Sequence, residues 1–217
     1  YITDYTKLIY LANPDNPTGT YFTVEEFDRF MEKVPARVLI ILDEAYFEYA
    51  DSSDDYPDSM HYRYDNVITL RTFSKAHGLA GFRVGYGFAH EDLIKNLLKV
   101  KLPFEPSWPA QIAAMAALED SAYIEKTVES CHREMKQMEM AFNDLSIEYI
   151  PSAANFLTIV FHNEEEAELF NNAMLHKGII LRHLKSWGLS NCIRITIGTK
   201  AENRYFIQQL SSILQKS

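Results

Sequence analysis

Val38-Leu39-Ile40-Ile41-Leu42 is a run of five aliphatic residues that stops abruptly at Asp43-Glu44. A strand with one wet face alternates apolar and polar residues. This run is apolar on both faces, as expected in the middle of a parallel sheet covered by helices. On its amino-terminal side, Lys7 to Leu11 reads as a short buried strand ending in the Asn/Pro/Gly turn 13–19. Between the two strands, Thr23 is placed to cap a helix, with Glu26 three residues on completing a capping box. Val24, Phe27 and Met31 would give that helix one apolar face. On the carboxyl-terminal side, Val67 to Arg71 predicts a third strand and Arg83 to Ala89 a fourth. The polar, tyrosine-rich stretch 48–65 reads as a surface excursion. Strand, helix and strand in this order predict a doubly wound α/β sheet, in which ligands gather at the carboxyl ends of strands.

After Pro109 the texture changes. Residues 110–118 are rich in alanine, and 121–144 form a long amphipathic stretch carrying Ile124, Val128, Met135 and Met138. A strand-like Asn155 to Phe161 follows, then a helix over 164–177 that stops at Gly178. The acidic run 163–168 reads as a solvated helix start, where carboxylates suit the dipole. Strand runs 179–182 and 192–197 come next, and a final helix shows Phe206, Leu210 and Leu214 on one face. The expected division is 1–110 as part of a large domain, 111–145 as a connecting helical segment and 146–217 as a small α+β domain.

The chain has 217 residues, 47% of them hydrophobic, enough to bury a real core. Its net charge of −9 argues against nucleic acid or an anionic membrane as the main partner. No apolar run approaches the ~20 residues that span a bilayer. Cys131 and Cys192 make no disulfide framework, which suits a reducing, cytoplasmic setting. No metal-ligand set is assigned. The opening YITDYTKLIY lacks a methionine and enters a strand pattern almost at once, so upstream sequence is expected.

The chemistry-bearing residues sit where the strand-like runs stop. Lys75 follows Ser74 just after the third strand, and the small-residue loop Gly78-Leu79-Ala80-Gly81 comes next. A lysine held partly desolvated near other cations can act as nucleophile and then as base. Asp43 ends a wholly apolar strand, where a carboxylate needs a cationic partner; a helix cap or an internal salt bridge is the structural alternative. Ser74 and Arg83 suit phosphate, a hydroxyl beside a guanidinium that can chelate two oxygens. Asn16 is held between Pro14 and Pro17, and Tyr46 stands three residues past Asp43. Alone, each of these marks an ordinary strand end or turn. Together they are far more specific.

The joint pattern resembles the fold-type I pyridoxal-phosphate enzymes, and within them the class I/II aminotransferases, over essentially the whole chain. The likeness rests on NPDNPTG (13–19), LDEAY (42–46), TFSKAHGLAGFRVGY (72–86) and CIRITIGT (192–199). It implies Lys75 as the Schiff-base lysine and Asp43 as the partner of the pyridine nitrogen. It also implies Asn16 and Tyr46 at the cofactor's ring oxygen, and Ser74 and Arg83 at its phosphate. Arg194 falls where that family clamps a substrate α-carboxylate. The fold implied is part of the large domain, a mostly parallel sheet with helices on both faces, plus a smaller carboxyl-terminal domain.

LPFEPSWPAQIAAMAALED (102–120), SAANFLTIVF (152–161) and GIILRHLKSWGLSNCIRITIGT (178–199) are similar to the histidinol-phosphate aminotransferase subfamily. There the arginine matching Arg182 meets the substrate phosphate, with 2-oxoglutarate or glutamate as the partner of Arg194 in the other half-reaction. His183 and Lys185 would add positive charge beside Arg182. His77 occupies a place where relatives often carry a bulky residue and reads as packing. The resemblance implies ping-pong transamination of small molecules in a homodimer. Three other readings stay open: an aromatic amino acid aminotransferase, a lyase like the threonine-phosphate decarboxylases, and a catalytically incomplete fragment.

Overall fold

The computed structural model describes residues 1–62 and 64–214. They form two compact units, one of residues 1–15, 21–62 and 64–127, the other of 16–20 and 128–214. No helix among the described residues is long and apolar enough to cross a membrane.

The first unit is built on a four-stranded sheet in the order β1 (Leu8–Ala12), β2 (Leu39–Asp43), β3 (Val67–Thr72) and β4 (Gly85–Ala89). The first three strands are parallel and β4 is antiparallel to β3. Strand order follows chain order, so the described strands do not include the reversal that a doubly wound sheet implies. Helix α1 (Val24–Met31) starts on the expected capping box: Glu26 N donates to Thr23 Oγ1, and Thr23 N donates to a Glu26 carboxylate oxygen. It buries Phe27 and Met31 against Val38, Ile40, Leu42 and Val67, but Val24 is exposed. At the first helical position Val24 lies before the stripe that faces the sheet begins.

Two further expectations need correction here. The stretch 48–65 is not a mere surface excursion, because Tyr49, Ala50, Tyr56 and Ser59 are buried; Arg63 lies outside the described residues. A short helix α2 (Phe47–Ala50) opens this segment. The strand expected from Arg83 begins at Gly85, because Arg83 takes a left-handed φ of 53° at the end of a 3₁₀ turn, Ala80–Phe82. A side chain at Gly85 would meet Arg71 O at 2.7 Å, so β4 can lie against β3 only with glycine there. Helix α3 (Glu91–Leu98) follows. Helix α4 (Trp108–Glu119) then packs Ala110 and Ala114 against Phe73 and Val84. Small residues on that helix let it approach the segment that carries Lys75.

Helix α5 (Ser121–Asp144) spans the predicted 121–144 and belongs to both units, which divide after Thr127. The second unit carries an antiparallel sheet in the order β5 (Tyr149–Ile150), β6 (Phe156–Val160), β8 (Cys192–Thr196) and β7 (Arg182–His183). Leu157, Ile159, Ile193 and Ile195 pack on Met138 and Phe142 of α5. Phe170 and Met174 of α6 (Glu164–His176) join the same core, with Phe206 and Leu210 of α7 (Lys200–Leu214). The acidic run is a helix start as read: Asn163 caps α6 and Glu164 to Glu166 fill its first turn. The strand expected over 179–182 shrinks to Arg182–His183. Gly178 adopts a left-handed φ of 77°, and Ile179 N donates back to Met174 O at 3.0 Å, which takes that amide from the sheet. Leu214 is also not on the buried face, being 41% exposed; Ile213 packs on the core instead.

Candidate functional site

The candidate residues of the first unit lie where β2 and β3 end. Asp43 closes β2, and its two carboxylate oxygens are both engaged: Ala45 N donates to Oδ1 at 3.1 Å and the Tyr10 hydroxyl donates to Oδ2. Parallel pairing sets Ala12 beside Asp43, which places Tyr10, two residues back, on the same face. Burial and the Asp43 carboxylate push the Tyr10 hydroxyl up to about 12. Sequence reading missed Tyr10; its period-two spacing from Ala12 was the available signal.

Beyond β3 the chain turns sharply. Ser74 N donates to Thr72 Oγ1 at 3.1 Å, and Gly78 N donates to Lys75 O at 2.9 Å. Lys75 is exposed and not desolvated as expected, with its ammonium 5.1 Å from the centre of the buried Tyr46 ring. Arg83 Nη1 donates to Ala80 O at 2.9 Å and to Ser74 Oγ at 3.4 Å. A hydroxyl and a guanidinium thus share one exposed corner, a pairing suited to an oxyanion. The structure therefore brings Ser74 to Arg83 and Lys75 to Tyr46.

Behind this corner runs a charged cluster that sequence reading did not foresee. Arg71 Nε donates to Glu44 at 2.8 Å, and its Nη2 meets Asp58 at 2.7 Å. Both Arg71 and Glu44 side chains are almost fully buried, and the guanidinium lies 3.3 Å over the Phe47 ring. Burial raises the Glu44 carboxyl above its usual range, against the lowering effect of Arg71 beside it. An arginine inside an apolar strand was the legible sign that a buried acid had to meet it.

In the second unit, Asn16 Oδ1 accepts from Arg194 Nη1. The loop bearing Asn16 is held there by Thr158 Oγ1 donating to Pro17 O at 2.9 Å and Ala153 N to Gly19 O at 2.8 Å. Arg194 and Arg182 are direct register partners on β8 and β7, so both guanidiniums rise from one face of the sheet. Both line an open cleft of about 600 Å³. Arg194 lies 4.8 Å over Phe156 and Arg182 4.9 Å over Trp187. The Arg194 Nε is buried without a hydrogen-bond partner among the described residues. Lys185 does not add charge here as expected, because its ammonium is engaged by Glu164 and Glu168 of α6. His183 Nε2 is taken by Ser190 O. Among the described residues no group of three or more histidine, cysteine or acidic side chains could hold a metal ion.

A parallel sheet with an antiparallel edge strand, a lysine turn at its carboxyl end and a second antiparallel unit define the fold-type I architecture. The chain belongs to the aminotransferase class I and II family, whose pattern it matches over residues 2–210. It is 43% identical over 216 residues to histidinol-phosphate aminotransferase 2 of Carboxydothermus hydrogenoformans, covering 99% of this chain and 59% of that protein. The corresponding protein of Pseudomonas fluorescens is also 43% identical, over 100% of this chain and 58% of its own length. Among solved structures, the Sinorhizobium meliloti histidinol-phosphate aminotransferase in complex with pyridoxal-5'-phosphate superposes with a TM-score of 0.88 at 31% identity. The match covers 97% of this chain and 58% of that one. The chain spans less than two thirds of the length of these relatives.

Proposed function

We propose that this chain is part of a pyridoxal 5'-phosphate-dependent histidinol-phosphate aminotransferase, a cytoplasmic enzyme of histidine biosynthesis. The observation that carries the substrate assignment is the pair Arg182 and Arg194, two cations directly opposed on one sheet face. Like charges in that register are destabilising unless anions answer them. A phosphate at Arg182 in one half-reaction and the carboxylate of glutamate or 2-oxoglutarate at Arg194 in the other would each supply such an anion.

The residues present fit the cofactor. Ser74 and Arg83 offer a hydroxyl and a guanidinium to its phosphate. Asp43 has about four lone-pair sites and two donors, leaving room for a protonated ring nitrogen. Asn16 and Tyr46 are assigned its ring oxygen. Lys75, which is exposed, would offer its amine to the aldehyde carbon. When bound, the cofactor supplies an electron-withdrawing ring that takes up charge as the substrate's amine-bearing carbon loses its proton. Asp43 would keep the ring nitrogen protonated, Lys75 Nζ would carry the proton taken from that carbon, and the arginines would orient the two substrates in turn.

Residues 1–110 are proposed as part of the large cofactor-binding domain, 111–145 as the connecting helical segment and 146–217 as the small domain. A homodimer is supported by the exposed apolar side chains of Val100, Leu102, Phe104 and Trp108. The test is steady-state transamination by the full-length protein with 2-oxoglutarate as acceptor. Histidinol phosphate should be preferred to phenylalanine. A preference for phenylalanine would move the reading to an aromatic aminotransferase, and carbon dioxide release without any oxo acid would move it to a lyase.

A further inference from the structure

Two contacts in matching order join the segment after β2 to the lysine turn after β3. Tyr46 faces the Lys75 ammonium, and two residues further along each segment His77 Nε2 lies 3.3 Å from Glu48 Oε1. The His77 and Glu48 side chains are only 8% and 10% exposed. His77 Nδ1 and Glu48 Oε2 are both buried without hydrogen-bond partners among the described residues. A carboxylate enclosed this way is costly unless a cation or donor meets it, so His77 is held to Glu48 and not merely near it.

The turn itself is pinned at its base. Leu79 N donates to Phe73 O at 2.8 Å, Ala76 is fully buried, and the His77 ring packs on Phe73 at 4.9 Å. With the base fixed, a grip at His77 sets how the turn is rolled, and so the direction in which Lys75 leaves it.

We propose that His77 and Glu48 form a buried clasp that positions Lys75 over Tyr46, which makes His77 a positioning residue. This rests on the role proposed above for Lys75. The clasp acts before any substrate arrives: it orients the amine for attack on the cofactor's aldehyde and removes the need to order the turn at that moment.

The test uses the full-length protein, incubated with pyridoxal phosphate and quenched at intervals with borohydride. Peptide mass spectrometry then gives the rate at which Lys75 is labelled. His77→Gln keeps an N–H donor for Glu48 and should label at nearly the parental rate. The double variant His77→Phe with Glu48→Leu removes the buried charge together with the clasp. It should keep the parental melting temperature yet label more slowly, by up to about 100-fold. Parental labelling in that double variant overturns the proposal. If it melts more than about 10 °C below the parent, His77→Asn, one methylene too short, replaces it in the comparison. Equal rates for the Asn and Gln variants then overturn the clasp. A parental protein that never labels at Lys75 overturns instead the underlying reading of the lysine.

Discussion

Arg71 and Arg194 are both arginines on strands, and both sit against an aromatic ring, yet the protein treats them in opposite ways. Arg71 is sealed behind the lysine turn, with Glu44 and Asp58 on its donors and Phe47 beneath it. Among the described residues, Arg194 donates to the Asn16 amide oxygen, keeps a buried Nε without a hydrogen-bond partner, and stands opposite another arginine in register. The difference separates a charge neutralised inside the fold from the charge proposed above to meet a substrate. The Arg71 guanidinium is met by two internal carboxylates, whereas Arg194 has another arginine opposite it in register and no carboxylate partner among the described residues.

Substitution should divide the two along this line. Arg71→Met leaves Glu44 buried without its cation and should cost about 3–5 kcal/mol in urea unfolding. Adding Glu44→Leu should recover most of that loss. A loss well under about 1 kcal/mol for Arg71→Met would break the comparison. Arg194→Gln should change stability little, because relief of the cross-strand repulsion offsets the lost Asn16 contact, and should instead lower kcat/KM for 2-oxoglutarate by about 10- to 100-fold, since it removes a charge-assisted contact of about 1.5–3 kcal/mol. Arg182→Gln, which loses no hydrogen bond to Asn16, should raise stability by about 0.2–1 kcal/mol through relief of the cross-strand repulsion. If Arg182→Gln destabilises the protein, the guanidiniums are not in conflict and the cleft loses its main mark.

The smallest effect lies between the two extremes, at Asp43, whose oxygens are occupied but not saturated. The Tyr10 hydroxyl beside it is pushed up to about 12, so the folded state holds that proton more tightly than the unfolded chain. Its contribution is fully present below pH 10 and is lost as pH rises towards 12. A tyrosinate titration by ultraviolet absorbance should therefore lose one late-ionising group on Tyr10→Phe. An unchanged late phase would remove Tyr10 from the shell around Asp43.

Much of this was legible in the residues, and the misses share a cause. The both-face apolar run of β2, the Thr23–Glu26 capping box and the Asn163 helix start are local signals, set by neighbours in sequence. Lys75, Asp43 and Ser74 could be placed at strand ends for the same reason, whereas Arg83, read as the start of the fourth strand, lies in the turn before it. What failed depends on distant partners. The strand over 179–181 was lost because Ile179 caps a helix. Lys185 lost its expected role because α6 brings Glu164 and Glu168 to it. The Glu44–Arg71–Asp58 cluster and the Tyr10–Asp43 bond are contacts across strands and loops, which no spacing within one segment displays. Leu214 and Val24 were misplaced by less than a turn of helix, at ends where the buried stripe runs out.

The central claim is that an exposed lysine at the end of β3 is the residue to which the cofactor attaches. Borohydride reduction of the full-length protein in the presence of pyridoxal phosphate, followed by peptide mapping, tests it most directly. The account predicts a single reduced adduct on Lys75, abolished in Lys75→Ala together with the visible absorbance of the bound cofactor. An adduct on another lysine, or absorbance that survives in Lys75→Ala, would contradict it.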